Sequence, residues 1–296
     1  MDNQFRIFLF HGVIREHRHK VRNYTRKHLS VDDFSEFITR ALLLYHPVTM
    51  DDVLRACTGE HDLPPQSFAV TFDDGFENNA SIAAPILADL GVPATFFVST
   101  GFVGTDERSW TDEIESVLEQ DVPAEFLGVG PGIDGLYESV DEKQALMDEI
   151  RCIVKNDPMV DPYKYSETLI KGLGRGKGDF CPDLDAKLSW DQVRKLDQDS
   201  LFSVGGHGHS HRVLSYVTHN ELVDEVSTSL ALLETAIGHP VVHYSYPEGT
   251  AACYTPEVIR VLKSFGIRCC PTAIDGLNGF LADPFELKRV PVLGKE

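Results

Sequence analysis

The sequence predicts an α/β domain in which parallel strands alternate with helices and close into a barrel. Apolar runs of strand length recur along the 296 residues. Most of these runs are continuous rather than alternating, as expected of parallel strands that are covered on both faces. Helix start and stop signals lie between them. A chain of this length could form one large domain or two small ones, so length alone does not decide.

Seven apolar runs have the length and composition of strands. They are residues 5–10, 68–72, 94–98, 201–204, 241–246, 267–270 and 287–292. A parallel sheet of this size, with a helix after most strands, favours a closed barrel over an open sheet.

The helices between these runs carry recognisable ends. The predicted starts are the capping pairs Ser30/Asp33, Ser189/Gln192 and Thr218/Glu221, and the dipeptide Thr255-Pro256, and the predicted stops are Gly91 and Gly238. The alternation breaks between about residues 105 and 189, where Gly- and Pro-containing stretches surround helix-like segments. We expect a single domain over residues 1–296 with an insertion at about 105–189.

The charge of the chain limits its partners. Asp and Glu number 46 against 27 Lys and Arg, which gives a formal net charge of −19. Nucleic acids and anionic membranes reward clustered basic residues, so neither is an expected partner. The composition leaves the oligomeric state open.

The compartment is predicted from the cysteines and from the absence of targeting signals. Six cysteines lie scattered without a metal-type spacing and are expected to be reduced core residues. Residues 1–4 lack the basic and apolar character of a signal peptide, and no run reaches the roughly 18 apolar residues of a membrane span. We therefore expect no membrane span and a cytoplasmic protein.

Two short segments carry the chemistry. Residues 71–75 read Thr-Phe-Asp-Asp-Gly after one predicted strand, and residues 207–211 read His-Gly-His-Ser-His after another. One carboxylate with two imidazoles makes a metal site whose fourth position is open, as in catalytic zinc centres. Adjacent side chains of an extended segment point in opposite directions, so one of Asp73 and Asp74 can bind the ion while the other is free for proton transfer. His209 is expected to point away.

Polar groups from four segments are expected to meet at one end of the barrel. His11, Asp73, His207 and residues 247–249 each follow a predicted strand, and reactive side chains of such barrels lie where strands end. A divalent ion there would polarise a carbonyl and lower the pKa of bound water toward roughly 7. These groups predict hydrolysis of an amide or ester.

The two segments resemble the motifs of the polysaccharide deacetylases, the NodB-like family also called carbohydrate esterase family four. The resemblance extends from residue 5 to residue 292, apart from the insertion, and includes residues 94–98 and 188–191. It implies a distorted (β/α)7 barrel and one divalent ion, with zinc as the expected metal. It also implies that Asp73 is the catalytic base and that Asp74, His207 and His211 are the metal ligands.

Two departures from the family pattern matter. The third family motif usually reads Arg-x-Pro-Tyr, whereas residues 245–249 read Ser-Tyr-Pro-Glu-Gly, so the base-orienting Arg is missing and Arg289 is a candidate replacement. The family's oxyanion donor is a backbone N–H, which Glu248 can supply, with Tyr246 and Pro247 as walls of the substrate pocket.

The second departure concerns the general acid. Family members usually take it from a late His, but no His follows His243 here. In the branch that includes biofilm poly-N-acetylglucosamine deacetylases, a His near the N-terminus takes this role. Residues 9–13, Leu-Phe-His-Gly-Val, resemble that segment. This makes His11 the candidate acid.

Three functions follow from these residues. The first is a metal-dependent deacetylase of an N-acetylated sugar or saccharide, with a precursor of O-antigen or capsule as the expected substrate. The second is a hydrolase of a non-sugar amide such as a cyclic imide or ureide, which an apolar or very small pocket would favour. The third is an inactive sugar-binding module, supported by the missing Arg and late His. Cobalt, nickel, iron and manganese also suit the ligand set.

Overall fold

A computed structural model describes residues 4–130 and 132–295. The strands are β1 (Gln4–Phe10), β2 (Gly12–Ile14), β3 (His28–Ser30), β4 (His46–Pro47), β5 (Ser67–Phe72), β6 (Ala94–Val98), β7 (Ala124–Phe126), β8 (Gly135–Tyr137), β9 (Phe202–Gly206), β10 (Asn278–Gly279) and β11 (Val290–Pro291). The helices are α1 (Val31–Leu44), α2 (Met50–Cys57), α3 (Ala84–Leu90), α4 (Trp110–Leu118), α5 (Val140–Asn156), α6 (Pro162–Gly172), α7 (Pro182–Asp185), α8 (Trp190–Gln198), α9 (His219–Ile237) and α10 (Pro256–Ser264). A π-helical turn (Asn79–Ala83) precedes α3, and a 3-10 turn (Leu214–Tyr216) precedes α9.

A parallel sheet in the order β1, β5, β6, β9 forms the centre of the fold. Strands β4 and β11 add to it in parallel, next to β5 and β1, and β10 pairs antiparallel with β1. Every residue of β5 and β6 is buried. Their continuous apolar sequences are therefore explained by helices or side chains that cover both faces.

The sheet closes into the expected barrel through segments that are too irregular to count as strands. Single parallel bridges join Gly206 to Tyr244 and His243 to Cys269. The next link in the sheet is a hydrogen bond from the Thr272 N–H to Leu287 O. Pairing of β11 with β1 then closes the barrel. The predicted (β/α)7 barrel is confirmed, and its distortion lies in this second half.

Prolines explain why the ladders of the second half are short. A proline has no N–H to donate and is excluded from central strand positions. The last three predicted strands, residues 241–246, 267–270 and 287–292, form only short ladders or single bridges. The prolines in or beside them are Pro240, Pro247, Pro271 and Pro291.

The predicted helix ends are confirmed. Ser189 and Thr218 begin α8 and α9 with full capping boxes. Gly91 and Gly238 end α3 and α9 in the left-handed conformation, with φ of 65° and 83°. Ser30 caps α1, and Thr255 caps α10 with Pro256 at its first position.

The predicted insertion contains α4 to α7 and the β7–β8 hairpin, and it has its own hydrophobic cluster. Trp110, Ile114, Met147 and Ile150 are among the buried side chains of that cluster. The loop after β2 joins it through Val21, whose N–H donates to a Glu119 carboxylate 2.7 Å away. The insertion thus packs against the loop between β2 and β3.

The structure corrects one detail of the cysteine prediction. All six cysteines are free thiols, and four are buried. Cys152, on the outer face of α5, is exposed, and Cys181, before α7, is half-buried, so these two are not core residues. Among the described residues, no helix has both the length and the hydropathy needed to cross a membrane.

Candidate active site and metal centre

The site is built where parallel strands end. His11, Asp73 and His207 are the first residues after β1, β5 and β9, respectively. Because these strands are parallel neighbours, their carboxyl ends share one rim of the barrel. The segment bridged to β9 brings Ser245 and Glu248 to the same rim.

Asp74, His207 and His211 form a convergent set of ligand atoms. One ligand atom from each lies within 4.8 Å of the other two. The Asp74 Oδ1 is 3.4 Å from the His207 Nε2 and 3.2 Å from the His211 Nε2. This donor set fits a divalent metal ion, for which three protein ligands leave a coordination position open, as in catalytic centres.

A hydrogen bond to the backbone orients His207. The His207 Nδ1 lies 2.9 Å from Ser245 O, so it carries the proton and leaves the Nε2 lone pair free to bind a metal. His209 belongs to a different environment, because its Nδ1 lies 2.9 Å from the Thr100 Oγ1. The structure thus brings the three predicted ligands together and leaves the middle His of the motif out.

Arg289 holds the carboxylate of Asp73, the neighbour of the ligand Asp74. The Arg289 Nη1 and Nη2 donate to the two carboxylate oxygens of Asp73 at 2.8 and 2.7 Å. Both residues are buried, and Arg289 has no exposed surface. The Ser245 Oγ accepts a further bond from Arg289 at 2.9 Å. Arg289 therefore makes the contact with Asp73 that is expected of a base-orienting Arg.

Charge and burial set the protonation of these groups. Burial by itself would raise the pKa of Asp73, but the charges of Arg289 and His207 hold it below its ordinary value. Burial also opposes ionisation of Asp74, whose pKa is nevertheless held well below normal by hydrogen bonds from His207 and His211. Both carboxyl groups are therefore ionised at neutral pH, as a base and a metal ligand require.

His11 lines the same cavity. Burial lowers its pKa, against the opposing charges of Asp74 and Asp73. Its resting imidazole is therefore neutral at pH 7. A role as general acid then requires His11 to take up a proton before it can donate one.

Three site residues have left-handed backbones that non-glycine residues rarely adopt. The φ angles are 76° at Asp74, 55° at His211 and 60° at Glu248. Such conformations cost free energy and persist where the surrounding structure imposes them, often at functional sites. These three residues all line the cavity at the rim. Sequence patterns do not reveal their backbone conformation.

The predicted substrate wall is corrected in part. Glu248 lines the cavity, and its carboxylate pairs with the Lys155 Nζ at 2.6 Å. Tyr246 is fully buried in the main core, where it stacks on Tyr254 and donates to Phe285 O. Pro247 is also buried. Their side chains do not form the wall, because the bridged segment turns Tyr246 toward the barrel core.

The cavity over these residues has a volume of about 290 Å³. Among the lining residues that the sequence did not predict, four carry a positive charge, and three of these four come from the insertion. They are Lys27, Arg151, Lys155 and Lys187. A larger cavity of about 610 Å³ lies elsewhere and contains none of the motif residues, so size alone does not identify the site.

A family model for polysaccharide deacetylases matches residues 60–130 and 153–270, which is more than half of the chain. The chain belongs to the polysaccharide deacetylase family. It is an enzyme of this family, which hydrolyses amide bonds of acetylated sugars. The unmatched stretch between the two ranges lies inside the predicted insertion. Among curated protein sequences, none matches this chain.

Solved deacetylase structures share its fold. The Streptococcus pyogenes deacetylase PplD, in complex with acetate, has a TM-score of 0.64 and 14% identity over 99% of this chain and 94% of its own. IcaB from Ammonifex degensii has a TM-score of 0.61 and 17% identity, over 98% and 92%. The BpsB deacetylase domain from Bordetella bronchiseptica has a TM-score of 0.60 and 18% identity, over 100% and 98%. At these identities the likeness concerns the fold alone.

Proposed function

We propose that this polysaccharide deacetylase removes an N-acetyl group from a sugar with the help of one divalent ion, zinc as the expected metal, held by Asp74, His207 and His211. The observation that carries the proposal is the ionised, Arg289-bound Asp73 beside three convergent ligand atoms in one cavity. A protein that only binds sugar has no need of a buried, ionised carboxylate that does not itself hold the metal.

Each residue has a defined step. A bound ion would supply Lewis-acid polarisation of the acetyl carbonyl and of the attacking water. Asp73 accepts a proton from that water as the new C–O bond forms. The Glu248 N–H, which has no acceptor in the part of the chain that the structure describes, donates to the oxyanion. His11, neutral at rest, first takes up a proton and gives it to the departing amine when the C–N bond breaks. Acetate and a free amino sugar result, and Asp73 returns the water's proton to solvent.

The cavity favours a small acetylated sugar over a long polymer. About 290 Å³ is near the lower end of the roughly 300–1,000 Å³ that ligand sites occupy. A single sugar unit of a precursor suits this volume. This supports a precursor of O-antigen or capsule as the substrate.

The two alternatives have less support. A cyclic imide or ureide hydrolase would favour an apolar or very small pocket, whereas this cavity is lined by three lysines and an arginine. The inactive module relied on a missing Arg and a missing late His. Arg289 makes the contact with Asp73 that an orienting Arg would make, and His11 lies in the cavity.

Acetate release tests the proposal. The purified protein, loaded with zinc, is incubated with a panel of N-acetylated sugars, sugar phosphates and nucleotide sugars, beside Asp73→Asn. We expect release from at least one sugar and a loss of about 10²–10⁴-fold in the variant, the usual value of general base catalysis. Release that is equal in Asp73→Asn would contradict the role of Asp73. Ring opening of a simple cyclic imide, followed by its ultraviolet absorbance, with no acetate released from any sugar would favour the second function.

A further inference from the structure

Lys187 is a buried ammonium in the catalytic cavity, and no carboxylate of residues 4–130 and 132–295 lies within hydrogen-bond distance of it. Only 2% of its side chain is exposed, and it lines the cavity. The nearest acid is Asp112, whose Oδ2 lies 3.9 Å away, beyond hydrogen-bond distance. Its Nζ lies 3.6 Å from the centre of the Phe76 ring. A buried charge is costly unless it is paired, so this position calls for an explanation.

The other charged groups that line the cavity have partners. The Lys155 Nζ pairs with Glu248 at 2.6 Å, and the Arg151 Nη2 pairs with Glu115 at 2.8 Å. The Lys27 Nζ is 2.9 Å from the Asp112 Oδ1, so the one carboxylate near Lys187 already has a closer cation.

The two catalytic carboxylates do not neutralise Lys187 either. Asp73 is bound by Arg289 at 2.7 Å, and Asp74 faces the two ligand histidines. One positive charge is therefore left over on the wall formed by Lys187, Lys27 and Asp112. An anionic group that enters the cavity would complete this cluster.

We propose that Lys187, supported by Lys27, binds an anionic substituent of the substrate, a carboxylate or a phosphate, while the acetamide lies at the metal centre. This rests on the proposed function and adds a substrate class to it: acidic or phosphorylated N-acetyl sugars. Burial lowers the pKa of Lys187 to about 8, against the charges of Asp112 and Asp74, which leaves the amine mostly charged at pH 7.

Binding of sugars that cannot be hydrolysed tests this independently of turnover. The probes are N-methanesulfonyl glucosamine, its 1-phosphate and its 6-carboxylate, measured by calorimetry on the zinc-loaded protein. Charge-assisted hydrogen bonds predict that at least one charged probe binds about 10–100 times more tightly than the neutral one. A preference for the 1-phosphate alone identifies a phosphorylated sugar, and one for the 6-carboxylate alone identifies a sugar acid.

Two variants locate the effect. Lys187→Met is expected to abolish the preference, and the exposed Lys164→Met, whose side chain is 84% exposed, is expected to keep it. Equal affinity of the wild-type protein for all three probes overturns the proposal, whether or not Lys187→Met folds. A preference that persists in folded Lys187→Met also overturns it, because the anion would then bind the metal. Acetate release on ordinary N-acetyl sugars is scored separately and reports on the proposed function.

Discussion

Replacing Arg289 by Met would test whether the Asp73–Arg289 pair is the structural basis of the catalytic base. Arg289 donates to Asp73 twice, to Ser245 Oγ and to Thr272 O, all within the buried core. Removal of one partner leaves the other charge buried and unpaired, which costs about 3–5 kcal/mol of unfolding free energy. We expect this loss in Arg289→Met by urea denaturation.

The double variant with Asp73→Asn separates the pair from the individual residues. Since each single change leaves one charge alone, the double change should cost less than the sum, by up to about 3 kcal/mol. Activity should behave in the same way, because residues that act as a unit are not additive. Arg289→Met should therefore lower acetate release strongly in the wild-type background and hardly at all in Asp73→Asn.

The exposed Arg40→Met serves as the control. Its guanidinium is 3.3 Å from Glu36 one helical turn away and its side chain is 71% exposed, so about 0.3–0.5 kcal/mol is expected. Additive losses of stability and activity in the Arg289/Asp73 double variant would refute the reasoning, since they would mean that the two residues act independently.

Three further predictions concern the remaining groups. His11→Ala should lower acetate release from an amide by about 10²–10⁴-fold but hardly change hydrolysis of p-nitrophenyl acetate, whose leaving group needs no proton; equal losses on both would argue against His11 as the acid. Glu248→Gly should keep at least a tenth of the activity, because glycine adopts the φ of 60° without strain and keeps the backbone N–H that donates to the oxyanion. A larger loss of activity would show that the Glu248 carboxylate is needed for the reaction. Lys187 has a pKa of about 8 and loses its charge above that pH. KM for an acidic or phosphorylated substrate should therefore rise above about pH 8, while KM for a neutral substrate stays constant. Parallel pH profiles of the two KM values would contradict an anion contact. The charged groups around Lys187 are Asp112, Asp74, Lys27 and Asp185.

The barrel and the metal ligands could be predicted because they depend on local patterns. Continuous apolar runs identify β5 and β6, and a His pair four residues apart after a strand leaves few geometries for His207 and His211. Strand ends then fix which segments meet, since parallel neighbours share one rim.

The rest depends on contacts between distant parts of the chain. Arg289 lies 216 positions from Asp73, and nothing beside it in sequence marks it as an ion-pair partner. Lys187 looks like an ordinary polar residue between two helices, and only the fold reveals that Lys27 has taken the nearest carboxylate. The motif position predicts Tyr246 in the pocket, but the irregular backbone before Pro247 turns its side chain into the core.

The central claim, that Asp74, His207 and His211 hold an ion, is tested most directly by metal content. Wild type, His207→Ala and His209→Ala are reconstituted with zinc, dialysed against metal-free buffer and measured by elemental analysis. We predict about one equivalent in the wild type and in His209→Ala, because catalytic zinc sites take three protein ligands, and a large loss in His207→Ala. Zinc absent from the wild type, or retained in His207→Ala, would contradict the assignment of this centre.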